Sequence, residues 1–447
     1  MHDKATMAPS IQKTHPQGWY VVTVCMVAYV LSFIDRQILS LLIAPIQADL
    51  RISDTQFGLL SGLAFALFYA LMGLPIASLS DSKSRPLIIA AGVAFWSLAT
   101  VGCGLARNFA QLFLARVCVG AGEAALTPAT YSLISDLFPK DRLGRAVAVY
   151  SLGSFLGAGI AFLVGGAVIA LVSAHGVTQI GAISLSPWQL VFILVGLPGL
   201  PVALLVRQTI REPFGDGRRP SQDTPPFSAV LALLGRQRRI FVPHIAGFML
   251  AAMALFAVLG WSPAFIMRRY GLSPAESGVW LGLVAVFAGG GGCLASGWLM
   301  DAMTRAGRAN APFLTGIVGA TGTALAALPV PFAPNAPAAF ALVGLAMFFA
   351  SFPMPPSTAV IQIAAPPRLR SRVAAIFIFF NSLIGLAVGN GLIGYLNDHV
   401  FHSPKAVGLS MAIVMSGAGA LAALILSAGA GPFARFVTAA KIPEPER

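Results

Sequence analysis

The sequence predicts an all-α membrane protein, with twelve transmembrane helices arranged as two pseudo-symmetric six-helix bundles. Three observations carry that expectation. Of the 447 residues, 57% are hydrophobic and only 10% charged, against roughly 45 to 50% apolar and about 25% charged in soluble globular chains. The apolar residues gather into twelve stretches, each near the roughly 20 residues a helix needs to cross about 30 Å of hydrocarbon. The polar loops of the two halves also repeat each other. An ordinary soluble enzyme is thereby excluded. The net charge of +13 comes from 29 Lys and Arg against 16 Asp and Glu. In so apolar a chain it reads as the basic excess of cytoplasmic loops rather than a nucleic-acid footprint, so no nucleic-acid partner is expected.

In chain order the stretches lie near residues 19–45, 55–79, 86–105, 108–136, 144–172, 187–207, 239–266, 276–300, 311–330, 337–364, 373–396 and 407–430, here spans 1 to 12. Span 1 follows 18 polar residues and is too long for a signal-peptide core, so it reads as a true membrane helix. Span 5 carries Gly153, Gly157, Gly159, Gly165 and Gly166, small residues that suit close packing at the interface between the bundles. Span 8 contains Gly289 to Gly292 with no following Gly-Lys-Ser/Thr, so it reads as a packing or bending site rather than a phosphate loop. Span 10 holds Pro353, Pro355 and Pro356, and missing helical donors predict a break or kink there. Cys25, Cys103, Cys118 and Cys293 each sit in an apolar stretch without metal-ligand spacing, which reads as packing. Asp398, His399 and His402 form only a weak external cluster, and neither a metal nor a cofactor is expected.

The one long connection, Arg207 to about Arg238, holds Arg218, Arg219, Pro220, Pro225 and Pro226 and reads as a polar linker. The expected organisation is an N-terminal bundle over 1–206, a cytoplasmic central linker over 207–238 and a C-terminal bundle over 239–447. With the N-terminus inside, the cytoplasmic segments carry 22 Lys and Arg and the external loops 5, which places both termini in the cytoplasm of a multi-pass inner (cell) membrane protein. After span 2 comes Ala77-Ser-Leu79-Ser-Asp81 with Arg85; after span 8 comes Gly297-Trp-Leu299-Met-Asp301 with Arg305 at the same offset. Pro139 to Arg145 and Pro366 to Arg372 repeat before spans 5 and 11. Such parallel repeats imply two bundles related by an axis along the membrane normal.

Of the 16 acids only Asp35 and Glu123 lie deep, and Arg36 and Arg116 are the only deep bases. A central charge costs on the order of 2.5 to 3.5 kcal/mol on insertion scales, so these four must face one another or a wet cavity. Arg116 and Glu123 are seven residues apart, about two turns on one face of span 4. Depth along the spans predicts an Asp35 to Arg116 contact, with Glu123 facing the cavity and Arg36 left for substrate. A carboxylate that takes up a proton can release its arginine to an anion, and arginine suits phosphate through its bidentate fork. Asp35 and Glu123 are therefore the expected proton-coupling residues, and Arg36, Arg116, Tyr69, Tyr131, Phe380 and Asn381 the expected substrate contacts. The alternative for the four charges is an ion network that only fixes helix packing.

Leu79, Asp81 and Arg85 resemble the G-x-L-x-D-R-x-G-R-R loop of the major facilitator superfamily, with departures at Ala77, Ser82 and Ser84. Within it, Arg116-Val-Cys-Val-Gly120-Ala-Gly122-Glu123, Thr127-Pro128, Asp136 to Pro139, Arg142 and Ser32 to Arg36 are similar to spinster-like lipid transporters. The resemblance implies the major facilitator fold and proton-linked movement of lysophospholipid or sphingosine-phosphate-like amphiphiles by alternating access. It makes Asp81, Arg85 and Arg142, with their repeats Asp301 and Arg305, the expected conformational switch. The second half offers Trp261, Phe287, Phe348, Phe349, Phe377, Phe379 and Phe380 and no deep charge, which suits the apolar tail of an anionic amphiphile. The alternative is a proton-coupled symporter of a small organic anion such as a sugar acid or aromatic carboxylate. No nucleophile, base and orienting group fall together, so an enzyme is not expected. The expected partners are a small amphiphilic or anionic substrate, protons and membrane lipids, with the chain acting as a monomer.

Overall fold

A computed structural model describes residues 15–180, 183–213, 227–366 and 368–439. Within them twelve helices are long and apolar enough to cross a membrane: Gly18–Leu41, Asp54–Gly73, Arg85–Gly104, Phe109–Leu137, Arg142–Ala174, Pro187–Thr209, Arg238–Tyr270, Pro274–Arg305, Ala311–Phe332, Ala336–Ala364, Arg370–Val400 and Pro404–Ala439. They correspond one to one with spans 1 to 12. Twelve crossings bring the start of span 1 and the end of span 12 to the same side, here called the terminal face; the other is the opposite face.

The spans are not uniform rods, and local sequence explains several of the interruptions. In span 10 the helix Ala336–Ser351 stops and a new one, Met354–Ala364, begins at the expected prolines. Pro356 has no N–H to offer the Phe352 carbonyl; Ser296 Oγ of span 8 donates to it at 2.6 Å, so the break stays satisfied inside the membrane. Span 8 widens to a π-helical turn at Ala285–Gly289, against the glycine run. Span 11 does so at Asn381–Val388 and again at Leu396–Val400. Span 4 is interrupted between Phe109–Glu123 and Leu126–Leu137, directly after its deep acid.

Glycines set how closely the halves approach. Gly159 and Gly166 of span 5 lie on span 8 at Val286 and Pro274, at the contact between halves, whereas Gly153, Gly157 and Gly165 lie on span 1 at Met26, Val30 and Ile38 within the first half. Only part of that glycine stripe is therefore interbundle. Spans 2 and 11 meet backbone to backbone: a Cβ at Gly58 would stand 2.6 Å from the Asn390 carbonyl oxygen, and one at Gly394 would collide with the Asp54 carbonyl.

Part of the central connection is not simply polar. Arg218, Arg219, Pro220, Pro225 and Pro226 lie outside the described residues, but Phe227–Arg236 forms a helix. Its Val230 and Leu233 are buried in one cluster with Ile240, Phe241 and Phe313, so the segment is amphipathic and rests on the second half. Cys25 and Cys103 are fully buried, and all four cysteines are free thiols.

Candidate functional site

Span 1 builds one wall of the site. Ser32 and Arg36 are four residues apart and so share a helix face; that face meets Glu123 of span 4. Arg36 reaches Glu123 Oε2 through Nε at 2.7 Å and Nη2 at 2.6 Å, and Ser32 Oγ donates to the same oxygen at 2.5 Å. Glu123 Oε1 is buried with no hydrogen-bond partner. Three donors on one carboxylate oxygen fix Glu123 firmly while leaving its other oxygen for a proton or a ligand group.

Asp35, about 100° further round the helix, points away from that cluster. Its Oδ2 accepts from Thr100 Oγ1 of span 3 at 3.3 Å, and its buried Oδ1 has no partner. Arg116 donates through Nη1 to the backbone carbonyl of Asp35 at 3.1 Å, not to its carboxylate, and its buried Nε is unpaired. The expected pairing is thus corrected. Asp35 and Arg116 do meet, but the ion pair is Arg36 with Glu123. Depth had placed the four groups, while rotation about the helices decided their partners.

Aromatic rings complete this wall. The Arg36 guanidinium carbon lies 4.4 Å from the Phe65 ring centroid and 5.0 Å from those of Phe33 and Tyr69, distances at which a cation is attracted to the ring face. Arg116 lies 5.7 Å from Phe65. Tyr131 is two rings removed: it meets Tyr150 edge-on at 5.4 Å, Tyr150 stacks on Tyr29 at 4.8 Å, and Tyr29 meets Phe33 at 5.1 Å.

A narrow cleft between the halves reaches Arg36 and Arg116 of this cluster, whereas Glu123, expected to face the cavity, is buried and is not among the lining residues. Arg36, Gln37, Ser40, Ser61 and Arg116 line it from spans 1, 2 and 4; Phe256, Leu259 and Leu386 line it from spans 7 and 11. Asn390 is the polar exception on the second wall. Its Oδ1 is buried without a partner, and Gly260 leaves the room for its amide. Of the expected substrate contacts, Tyr69, Tyr131, Phe380 and Asn381 are not among the lining residues; Phe380 is exposed and packs edge-on against Phe379 at 5.4 Å. Sequence reading missed Asn390, although a lone amide between Gly389 and Gly391 in an apolar span was a signal. Gln37 and Ser40, one and four residues beyond Arg36, were also within reach of helical periodicity.

The expected switch residues divide differently. Arg85 is buried and paired with Asp136 and Glu212, and it donates to the Ser132 carbonyl at 3.0 Å. None of these partners lies in the second half, so Arg85 staples spans 3 and 4 to the start of the central connection rather than closing a gap between halves. Arg305 Nε lies 3.4 Å from the carbonyl oxygen of Asp301 one turn back, and both residues are exposed. Arg142 is exposed at the start of span 5. The Asp81 side chain lies outside the described residues.

Among the described residues an ion pair between the halves lies instead on the opposite face, unanticipated by sequence. Asp54, opening span 2, accepts from Arg268 of span 7 at 2.6 and 2.7 Å, one bond to each oxygen. Gln47 Nε2 and Asn397 Nδ2 donate to the same carboxylate at 2.7 and 2.8 Å. Asp398 accepts from the backbone N–H and hydroxyl of Thr55 at 2.7 and 2.6 Å, a carboxylate seated on the positive N-terminal end of span 2. Asp54, Arg268 and Asp398 lie at span ends, where charge is ordinary; the sequence marked only Asp398 among them, and as a weak external cluster with His399 and His402.

A profile described as Major Facilitator Superfamily matches residues 25–390. A Mycolicibacterium smegmatis protein described as an MFS-type efflux pump is 30% identical over 405 residues, 89% of each chain. A probable L-galactonate transporter of Escherichia coli K12 is 26% identical over 413 residues, 89% of this chain and 87% of that one. Among solved structures, an inward-facing, unoccupied bacterial homolog of the human lysosomal transporter Spinster superposes with a TM-score of 0.75 at 27% identity, covering 95% of this chain and 98% of the other. Twelve spans, a charged cleft between the halves and a profile match over most of the length make this chain a transporter, not an enzyme, of the Major Facilitator Superfamily.

Proposed function

We propose that the protein is a proton-coupled secondary transporter of an anionic amphiphile, of lysophospholipid or sphingosine-phosphate type, working by alternating access in the cell membrane. The observation that carries this reading is the two-sided cleft, with Arg36 and Arg116 on one wall and Phe256, Leu259 and Leu386 on the other. Protonation of Glu123 removes the charge that holds Arg36. The freed guanidinium and Arg116 then offer bidentate donors to a phosphate head, while the apolar wall receives the chain. Deprotonation restores the Arg36 pair and expels the anion. Asp35, with one unpartnered oxygen beside Arg116, supplies a second protonation site.

The bundles over 1–206 and 239–447 are the moving units and 207–238 the connection between them. With cytoplasmic termini, as the basic loops suggest, the Asp54–Arg268 network closes the outside and the chain faces inward. That is the state of the Spinster homolog it resembles.

A second reading, symport of a small hydroxylated acid, is favoured by the hydroxyls and amides of Ser40, Ser61, Gln37 and Asn390 in the cleft and by similarity to the probable L-galactonate transporter. A thermal-melt comparison separates the two, since only ligands of the folded state raise the melting temperature. Lysophosphatidic acid is expected to stabilise the wild type and galactonate to have no effect. Stabilisation by galactonate alone transfers the assignment to the second reading.

A further inference from the structure

A second groove opens on the terminal face, far from the cleft, where the start of span 7 lies beside the end of span 12. Arg238, Arg239 and Arg435 line its rim, and Val242, Pro243, Ala428 and Pro432 line its floor. The helices run antiparallel, so chemistry is sorted by depth. Arg239 precedes Pro243 by four residues, about 6 Å, and Arg435 follows Ala428 by seven, about 10 Å. Cations sit at the edge of the membrane and apolar groups one to two turns further in. Val242 is 62% exposed and faces outward from the protein.

Two further features point to a ligand. Among the described residues no carboxylate lies within ion-pair distance of any of the three arginines, so their charge is uncompensated there. Prolines also stand in both helices at the groove. Pro243 leaves the Arg239 carbonyl without its helical donor, and Pro432 does the same to Ala428. The groove thus combines three cations with two carbonyls in need of hydrogen-bond donors, above an apolar floor.

We propose that this groove binds an anionic phospholipid of the leaflet at the terminal face, its phosphate on the arginines, a headgroup hydroxyl on the freed Arg239 carbonyl at the rim and an acyl chain along Val242 and Ala428. Phosphatidylglycerol has each of these parts; phosphatidylcholine lacks the net charge and the hydroxyls. Such a lipid ties span 7 to span 12 at the point where the chain enters the second half from the Phe227–Arg236 helix.

The test uses the full chain in detergent, with phosphatidylglycerol titrated and binding read by native mass spectrometry and by melting temperature. The wild type is expected to retain phosphatidylglycerol and to melt higher with it, with no comparable effect from phosphatidylcholine or inorganic phosphate. Arg238→Gln, Arg239→Gln and Arg435→Gln together should weaken binding about a hundredfold, at about 1 kcal/mol per arginine and 1.4 kcal/mol per factor of ten. Arg435→Gln alone, at an exposed last turn, should cost about fivefold on the same scale and serves if the triple variant folds poorly. Arg207→Gln with Arg211→Gln, basic residues of the same face outside the groove, should leave affinity unchanged. Undiminished binding by the arginine variants, equal retention of phosphatidylcholine, or an equal loss in the control pair overturns the site. An equal shift from inorganic phosphate alone overturns the lipid as its occupant.

Discussion

Arg36 and Arg116 carry the same charge on the same cleft wall, yet their partners separate them. Arg36 is committed to Glu123 and Ser32, whereas Arg116 holds only a backbone carbonyl and keeps Nε unpaired. Arg116 is therefore the arginine with donors to spare in this state. Arg116→Lys, which keeps the charge and loses the fork, is expected to weaken binding of the phosphate-bearing ligand about tenfold by calorimetry, equivalent to about 1.4 kcal/mol. Arg36→Ala strands a buried carboxylate, and breaking such a pair costs about 3 to 5 kcal/mol. Adding Glu123→Gln to Arg36→Ala removes the stranded charge, so the double variant should melt well above the single one; equal melting temperatures refute the coupling. The sequence disclosed these four residues because charge deep in lipid is expensive. It did not disclose the pairing, because position along a helix gives height while rotational phase depends on how spans 1, 3 and 4 pack. The i, i+4 relation of Ser32 and Arg36 was the available clue.

At the scale of elements, interruptions proved as informative as spans. The break in span 10 was legible because proline removes a donor wherever it stands. In span 8 the glycine run marked a packing or bending site but not the π-helical turn itself; the π-helical turns of span 11 and the interruption after Glu123 were not legible, since they depend on how neighbouring helices fit. Spans 2 and 11 touch through glycine because no side chain fits between their backbones at Gly58 and Gly394. Gly394→Val should force these spans apart while leaving the Arg36–Glu123 pair of spans 1 and 4 in place. The expected outcome is faster labelling of a cysteine placed at Thr55, with the Arg36–Glu123 cluster intact. Labelling at the wild-type rate shows that the contact is not limiting. The amphipathic helix inside the central connection was hidden by the prolines and arginines before it, which dominate the composition of that segment.

For the whole molecule, hydropathy and the loop repeats revealed the architecture because the bilayer admits few alternatives to closed helices. The closure between halves was not legible: Asp54, Arg268, Asn397 and Asp398 are 344 residues apart at the extremes and meet only in the fold. Arg268→Ala removes both bonds from span 7 to Asp54 and should shift the population toward opening of the opposite face. Spin-label distances across that face should lengthen, and an unchanged distribution removes the network as a latch. In the proposed cycle Glu123 links the proton to the anion through Arg36. The most direct test of that link is pH-gradient-driven uptake of labelled lysophosphatidic acid into proteoliposomes by wild type and Glu123→Gln, with binding measured in parallel. The expected result is a variant that binds the ligand yet no longer responds to the gradient; gradient-driven uptake at the wild-type rate by Glu123→Gln contradicts it.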